Sequence, residues 1–139
     1  MKKIAVISAQ WHEDIVESAE RAFIEAMGAD YECDVIKVPG GLEIPLIGMR
    51  ALEGDYDLAV GISFIVDGGI YRHEFVAQAV VDGIVNVSLG TGKPFLSVSI
   101  SPQKFDEKSG EDRDFFLDHF VIKGQEAAAA AKTMLGFED

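Results

Sequence analysis

A single cysteine, Cys33, leaves no partner for an intramolecular disulfide and no set of thiolates for a zinc site. It sits in the alternating apolar run Tyr31–Val38, a place suited to a small core side chain. No apolar run approaches the roughly 20 residues that a membrane span needs. Met1-Lys2-Lys3-Ile4 has the basic start of a leader, but Glu13 and Asp14 soon end the apolar segment. No targeting peptide is therefore expected, and a cytoplasmic location is. Positive charge is also scarce: 12 Lys and Arg stand against 24 Asp and Glu, a net charge of −12. Nucleic-acid affinity is mostly electrostatic, so this balance argues against a phosphate-backbone binder. An anionic small molecule would need the few cations gathered locally. The candidates are Arg72, His73, Lys104, Arg113, His119 and Lys123.

What is present suits one domain spanning residues 1–139, long enough to bury a core without staples. Two hydrophobic periods alternate along it. Strands are expected at residues 4–8, 31–38, 58–66 and 95–99. Helices are expected over about 15–26, 43–52 and 71–91, then as two separate pieces at 112–120 and 123–135. This order implies an α/β fold: a four-stranded parallel sheet between helices, a three-layer α-β-α sandwich of flavodoxin-like type. Ligands in such folds bind beyond the carboxyl ends of the strands. That rule directs attention to residues 9–13, 39–43, 67–73 and 99–102.

Each loop carries some chemistry. Trp11, the only tryptophan, can stack on a planar heterocycle or cover a helix start or interface. His12 opens a helix, where the macrodipole disfavours a cationic ring, and reads as structural. Gly40 and Gly41 allow a ligand to approach main-chain amides, and Glu43 can accept from hydroxyls or a uracil N–H. Gly68-Gly69 feeding a helix is a ready anion site, yet it fits neither the P-loop nor the dinucleotide fingerprint. Arg72 stays charged and can hold or polarise an oxygen. His73 can shuttle protons, although a lone helix histidine is more often merely solvated or hydrogen-bonded. The Ser97–Ser101 serines lack the nucleophile-elbow pattern, so no serine hydrolase is read. Phe115, Phe116 and Phe120 suit a core or an interface. His119 and Lys123 share a face if their helix is continuous.

Four stretches together resemble lumazine synthase, in the right order and over nearly the whole chain. They are Val38-Pro39-Gly40-Gly41-Leu42-Glu43-Ile44-Pro45-Leu46, Glu74-Phe75-Val76-Ala77, Val87-Ser88-Leu89-Gly90-Thr91-Gly92-Lys93-Pro94 and Lys123-Gly124-Gln125-Glu126-Ala127-Ala128. The tract Asp67-Gly68-Gly69-Ile70-Tyr71-Arg72-His73, with Trp11-His12, is similar to the second bacterial type, typically a dimer of pentamers. The resemblance implies condensation of 5-amino-6-(D-ribitylamino)uracil with 3,4-dihydroxy-2-butanone 4-phosphate to give 6,7-dimethyl-8-ribityllumazine. It implies no metal and no organic cofactor, small-molecule substrates only, and a homo-pentamer or dimer of pentamers.

By family position, Trp11 would stack on the pyrimidine, and Gly41, Leu42 and Glu43 would contact the ribityl-aminouracil. Phe64, Ile65 and Val66 would line the same pocket, Ser97 would sit at the ring, and Gly69 and Ile70 would offer amides to phosphate. The usual catalytic histidine position holds Arg72, with His73 one residue later. Either His73 moves the proton from a shifted angle or Arg72 acts electrostatically. For phosphate, His119 ranks first and Arg113 second, with Lys123 in support. Two other readings share the fold: a flavin- or lumazine-binding carrier of low activity, and a riboflavin synthase of the archaeal kind.

Overall fold

Alternate side chains of the first strand, β1 (Lys2–Ala9), enter two different cores. Ile4 and Val6 join one cluster, and Ala5, Ile7 and Ala9 the other. A strand buried on both faces belongs in the middle of a sheet, and a parallel sheet buried in this way needs helices on each side. In the computed structural model, which describes residues 1–66, 73–102 and 104–137, that is the arrangement found. The other strands are β2 (Tyr31–Val38), β3 (Leu58–Phe64) and β4 (Phe95–Ile100). All four are parallel and lie in the order β2-β1-β3-β4. Every residue of β3 is buried, as its continuous apolar run requires. Register pairs Ile4 with Leu58 and Ser8 with Ile62.

Helices α1 (Glu13–Met27) and α4 (Gly110–Gly136) cover one face. Ile15, Val16, Ala19 and Phe23 of α1 are fully buried there, at the spacing of one helical stripe. Helices α2 (Ile44–Glu53) and α3 (His73–Thr91) cover the other. Pro45 falls in the first turn of α2, where its missing N–H costs nothing. The three-layer α/β architecture agrees with the sequence reading.

One expectation is corrected. The chain does not end in two helical pieces: α4 runs unbroken from Gly110 to Gly136. Ser109 caps it by accepting a hydrogen bond from the Asp112 amide at 3.1 Å. Gly124 does not interrupt the helix because the crossing with α1 needs it. A Cβ there would collide with the Ala19 carbonyl, so only glycine lets these backbones come so close. Strand boundaries also move: β1 spans Lys2–Ala9 rather than 4–8, β3 ends at Phe64 rather than at 66, and β4 extends to Ile100.

Helix α3 is unevenly covered. Val80 and Ile84 are its buried residues, whereas Phe75, Val85 and Leu89 stand at least half exposed. Among the described residues, no helix is long and apolar enough to cross a membrane.

Candidate active site

Beyond the carboxyl ends of β1, β2 and β3 lies a cavity of about 420 Å3. Its walls come from three separate stretches of backbone, each delivered by a strand. The end of β1 supplies Ala9, Trp11 and His12; the turn after β2 supplies Gly40, Gly41, Leu42 and Glu43; the end of β3 supplies Ser63, Phe64, Ile65 and Val66. His73 and Val76 of α3 and Glu107 of the segment before α4 complete it.

The local folding of each wall has a physical cause. The Gln10 amide donates to the Val38 carbonyl at 3.0 Å, tying the first two stretches together. Gly41 begins a single 3-10 turn, Gly41–Glu43. A Cβ on Gly41 would lie 3.2 Å from Val80 Cγ2 and 3.4 Å from Ser63 Oγ, so a side chain there would have to push the cavity floor back by a few tenths of an ångström. The Ile65 amide donates to the Ile100 carbonyl at 2.9 Å, continuing the ladder past β3. Alternation then sends Phe64 toward the α1–α4 core and Ile65 toward the α2–α3 core, with the cavity between them.

The Trp11 indole is 72% exposed and stands over Gly40, able to offer a face to a planar ligand. Leu42 is likewise largely exposed. Beneath them the Ser63 hydroxyl is buried and, among the described residues, has no hydrogen-bond partner.

His12 is more than a helix start. It is the one non-glycine of positive φ (52°) among the described residues, and its carbonyl accepts from the Ile15 and Val16 amides. Its ring meets Phe64 and Phe105 edge-on, each at a centroid distance of 5.5 Å. Its Nε2 lies 3.5 Å from Glu107 Oε1. Burial pushes its pKa below the ordinary 6.5, with Arg113 pushing the same way, while Glu107 and Asp14 pull up.

The expected site residues therefore divide. Trp11, Gly41, Leu42, Glu43, Phe64, Ile65, Val66 and His73 come together in one cavity. Gly69, Ile70 and Arg72 lie outside the described residues. Ser97 and Lys123 line a second cleft of about 340 Å3 between β4 and α4. There Lys123 Nζ meets Glu126 Oε2 at 3.1 Å. Because α4 is continuous, His119 and Lys123 do share a helix face, and the His119 ring stacks on Phe115 with centroids 5.7 Å apart. Arg113 holds Asp14 through Nη1, at 2.7 Å from Oδ1 and 2.6 Å from Oδ2.

Sequence reasoning passed over Ser63, Val76 and Glu107. Ser63 and Val76 follow apolar patterns that carry no functional mark. Glu107 sits in a polar stretch that the pattern leaves irregular. Among the described residues, no group of three or more His, Cys, Asp and Glu is placed to hold a metal ion.

Comparison with known proteins adds an independent line. Residues 1–138 match the protein family described as 6,7-dimethyl-8-ribityllumazine synthase. A protein of that name from Rhodococcus erythropolis is 46% identical over 134 residues, covering 93% of this chain and 86% of the relative. A 6,7-dimethyl-8-ribityllumazine synthase 2 from Bradyrhizobium diazoefficiens is 43% identical over 141 residues, covering 99% and 85%. Another of that name, from Pseudomonas syringae pv. tomato, is 43% identical over 132 residues, covering 91% and 77%.

Proposed function

The chain belongs to the 6,7-dimethyl-8-ribityllumazine synthase family, and from that premise we propose how its residues perform the reaction of riboflavin biosynthesis that the family carries. The amine of 5-amino-6-(D-ribitylamino)uracil attacks the carbonyl of 3,4-dihydroxy-2-butanone 4-phosphate. Water leaves as the imine forms, inorganic phosphate is eliminated, and a second loss of water closes the lumazine ring. The observation that carries this reading is the coincidence of a family match over residues 1–138 with a strand-end cavity walled by Trp11, Gly41–Glu43 and residues 64–66.

In this reading Trp11 stacks on the pyrimidine, and the Gly41–Glu43 turn contacts the ribityl-aminouracil with Glu43 as acceptor. Phe64, Ile65 and Val66 form the apolar wall. Holding both reactants together supplies much of the rate, since converting a bimolecular step to an intramolecular one is worth several kcal/mol (about 7–11 at best). His73, on the cavity wall, moves protons, and Arg72 stabilises charge on oxygen. Gly69 and Ile70 offer amides to the phosphate.

The phosphate's cations come from a neighbouring copy. His119 and Lys123 share one face of α4, and Lys123 shares a cleft with Ser97 away from the cavity of its own chain. Arg113 serves less well while it holds Asp14. We propose a cytoplasmic homo-pentamer or dimer of pentamers. The exposed Phe75, Val85 and Leu89 on α3 support assembly, because clustered apolar side chains on a folded surface mark interaction sites. Light scattering tests this, and a monomer would contradict it.

The decisive experiment incubates purified protein with both substrates and follows lumazine absorbance against the uncatalysed rate. Acceleration is expected. No acceleration with retained flavin binding would favour a carrier, and conversion of added lumazine to riboflavin a riboflavin synthase.

A further inference from the structure

Glu107 is placed at the cavity by a chain of specific contacts. Phe105, two residues earlier, packs edge-on against Phe64 with centroids 4.9 Å apart, and against Phe116 at 5.7 Å. That anchors the segment in the α1–α4 core. The backbone between Phe105 and α4 is then closed into a tight turn. The Asp106 amide donates to Asp112 Oδ2 at 2.9 Å, the Lys108 amide to Asp106 Oδ1 at 3.0 Å, and the Ser109 amide to the Asp106 carbonyl at 3.0 Å. Glu107 is the tip of this turn, with a side chain 62% exposed at the cavity rim.

His12 meets it from the other side. A left-handed backbone at a non-glycine residue costs on the order of 1–3 kcal/mol and persists only where surroundings enforce it. Here it aims the imidazole between Phe64 and Phe105, leaving Nε2 beside Glu107 Oε1. Burial lowers its pKa and so disfavours the cationic ring, while its Nε2 stands 3.5 Å from the carboxylate and limits where that side chain can go.

The cavity thus presents carboxylates from two loops, Glu43 and Glu107, beside an exposed indole. Carboxylates only accept hydrogen bonds, and they repel anions. This set fits a planar, uncharged ligand rich in O–H and N–H donors and opposes a phosphate. We propose that Glu107 is a substrate-contacting residue that selects the ribityl-aminouracil, and that His12 is its positioning residue. The assignment rests on the reading under Proposed function for the name of the ligand.

The test is titration of the oligomeric protein with 5-amino-6-(D-ribitylamino)uracil, read by fluorescence of Trp11, the only tryptophan. Glu107→Ala should weaken binding roughly tenfold, the size of one hydrogen bond to a charged group, and Glu107→Gln by less. His12→Asn keeps a residue that tolerates the left-handed backbone and should weaken binding in the wild type. In the Glu107→Ala background it should add little, because it acts through Glu107. The KM of the ketose phosphate should not rise in any variant, because removing a carboxylate can only ease the approach of its phosphate. A Glu107→Ala affinity within twofold of wild type overturns the proposal. So does a wild type that fails to bind the aminouracil, or a His12→Asn effect that persists in full without Glu107. Wild-type binding that depends on Glu107 but yields no lumazine would uphold it while sinking the synthase reading.

Discussion

Removing the indole of Trp11 separates its two possible roles by magnitude. The side chain is 72% exposed, so Trp11→Ala deletes little buried surface. The folded chain should lose no more than about 0.5 kcal/mol, typical of an exposed position. Stacking of a heterocyclic base on an aromatic side chain is worth about 1–3 kcal/mol. If Trp11 stacks on the pyrimidine, affinity should fall roughly 5- to 150-fold, since about 1.4 kcal/mol is tenfold. Initial rates measured against the aminouracil at saturating ketose phosphate should show this as a raised KM. The kcat should change far less, because stacking holds substrate and transition state alike. Trp11→Phe should recover most of the loss. An unchanged aminouracil KM would refute the stacking role. If assembly by light scattering fell instead, Trp11 would belong to a subunit contact.

Three further outcomes are expected. Gly124→Ala should destabilise by about 1–3 kcal/mol through collision with the Ala19 backbone, despite the roughly 1 kcal/mol that alanine gains in a helix. Gly90→Ala, in open space on α3, should stabilise, so urea melts at one protein concentration must show opposite signs. The Asp14 carboxyl is pushed up by burial, but its bonds to Arg113 and to backbone amides outweigh that and hold it below its ordinary 3.8. Its stabilisation is complete above that value and vanishes as pH falls through the folded pKa. Arg113→Ala should accordingly cost under about 1 kcal/mol at pH 7 and nothing in strong acid, as followed by thermal melts across pH. Finally, His73→Ala and Arg72→Ala should each lower kcat. Unchanged turnover in both would remove proton transfer from these two residues.

The parts of the fold that were legible are those where one local pattern decides the outcome. The apolar run of β3 has the length and the β-branched content of a strand covered twice, and it is buried throughout. The stripe Ile15, Val16, Ala19 and Phe23 could only face a core. The sequence pattern divides α4 into two pieces because Phe115, Val121 and Ile122, all exposed, blur the helical stripe about residues 121–122. Its continuity is decided by a neighbour: Gly124 fits against Ala19, a contact between residues far apart in sequence. Glu107 was illegible for the same reason. Nothing in the spacing of a polar segment reports that Phe105 will seat on Phe64 and carry the carboxylate to the cavity.

Charge then constrains the site as a whole. Among the described residues, Glu43 and Glu107 line the cavity and no lysine or arginine does. A unit negative charge 4 Å from a carboxylate is repelled by about 4 kcal/mol under partly screened surface conditions. A phosphate-bearing ketose cannot rest on that wall without cations to offset the repulsion. Of the nearby candidates, Arg113 is engaged by Asp14 and Lys123 lies in the other cleft, beside Glu126. If the chain is the synthase proposed here, the phosphate end is met by the segment carrying Arg72, by the His119–Lys123 face of an adjacent copy, or by both. Assembly then has a chemical purpose: an acidic chain keeps one cavity fit for a neutral polyol and borrows the charge that its second substrate requires.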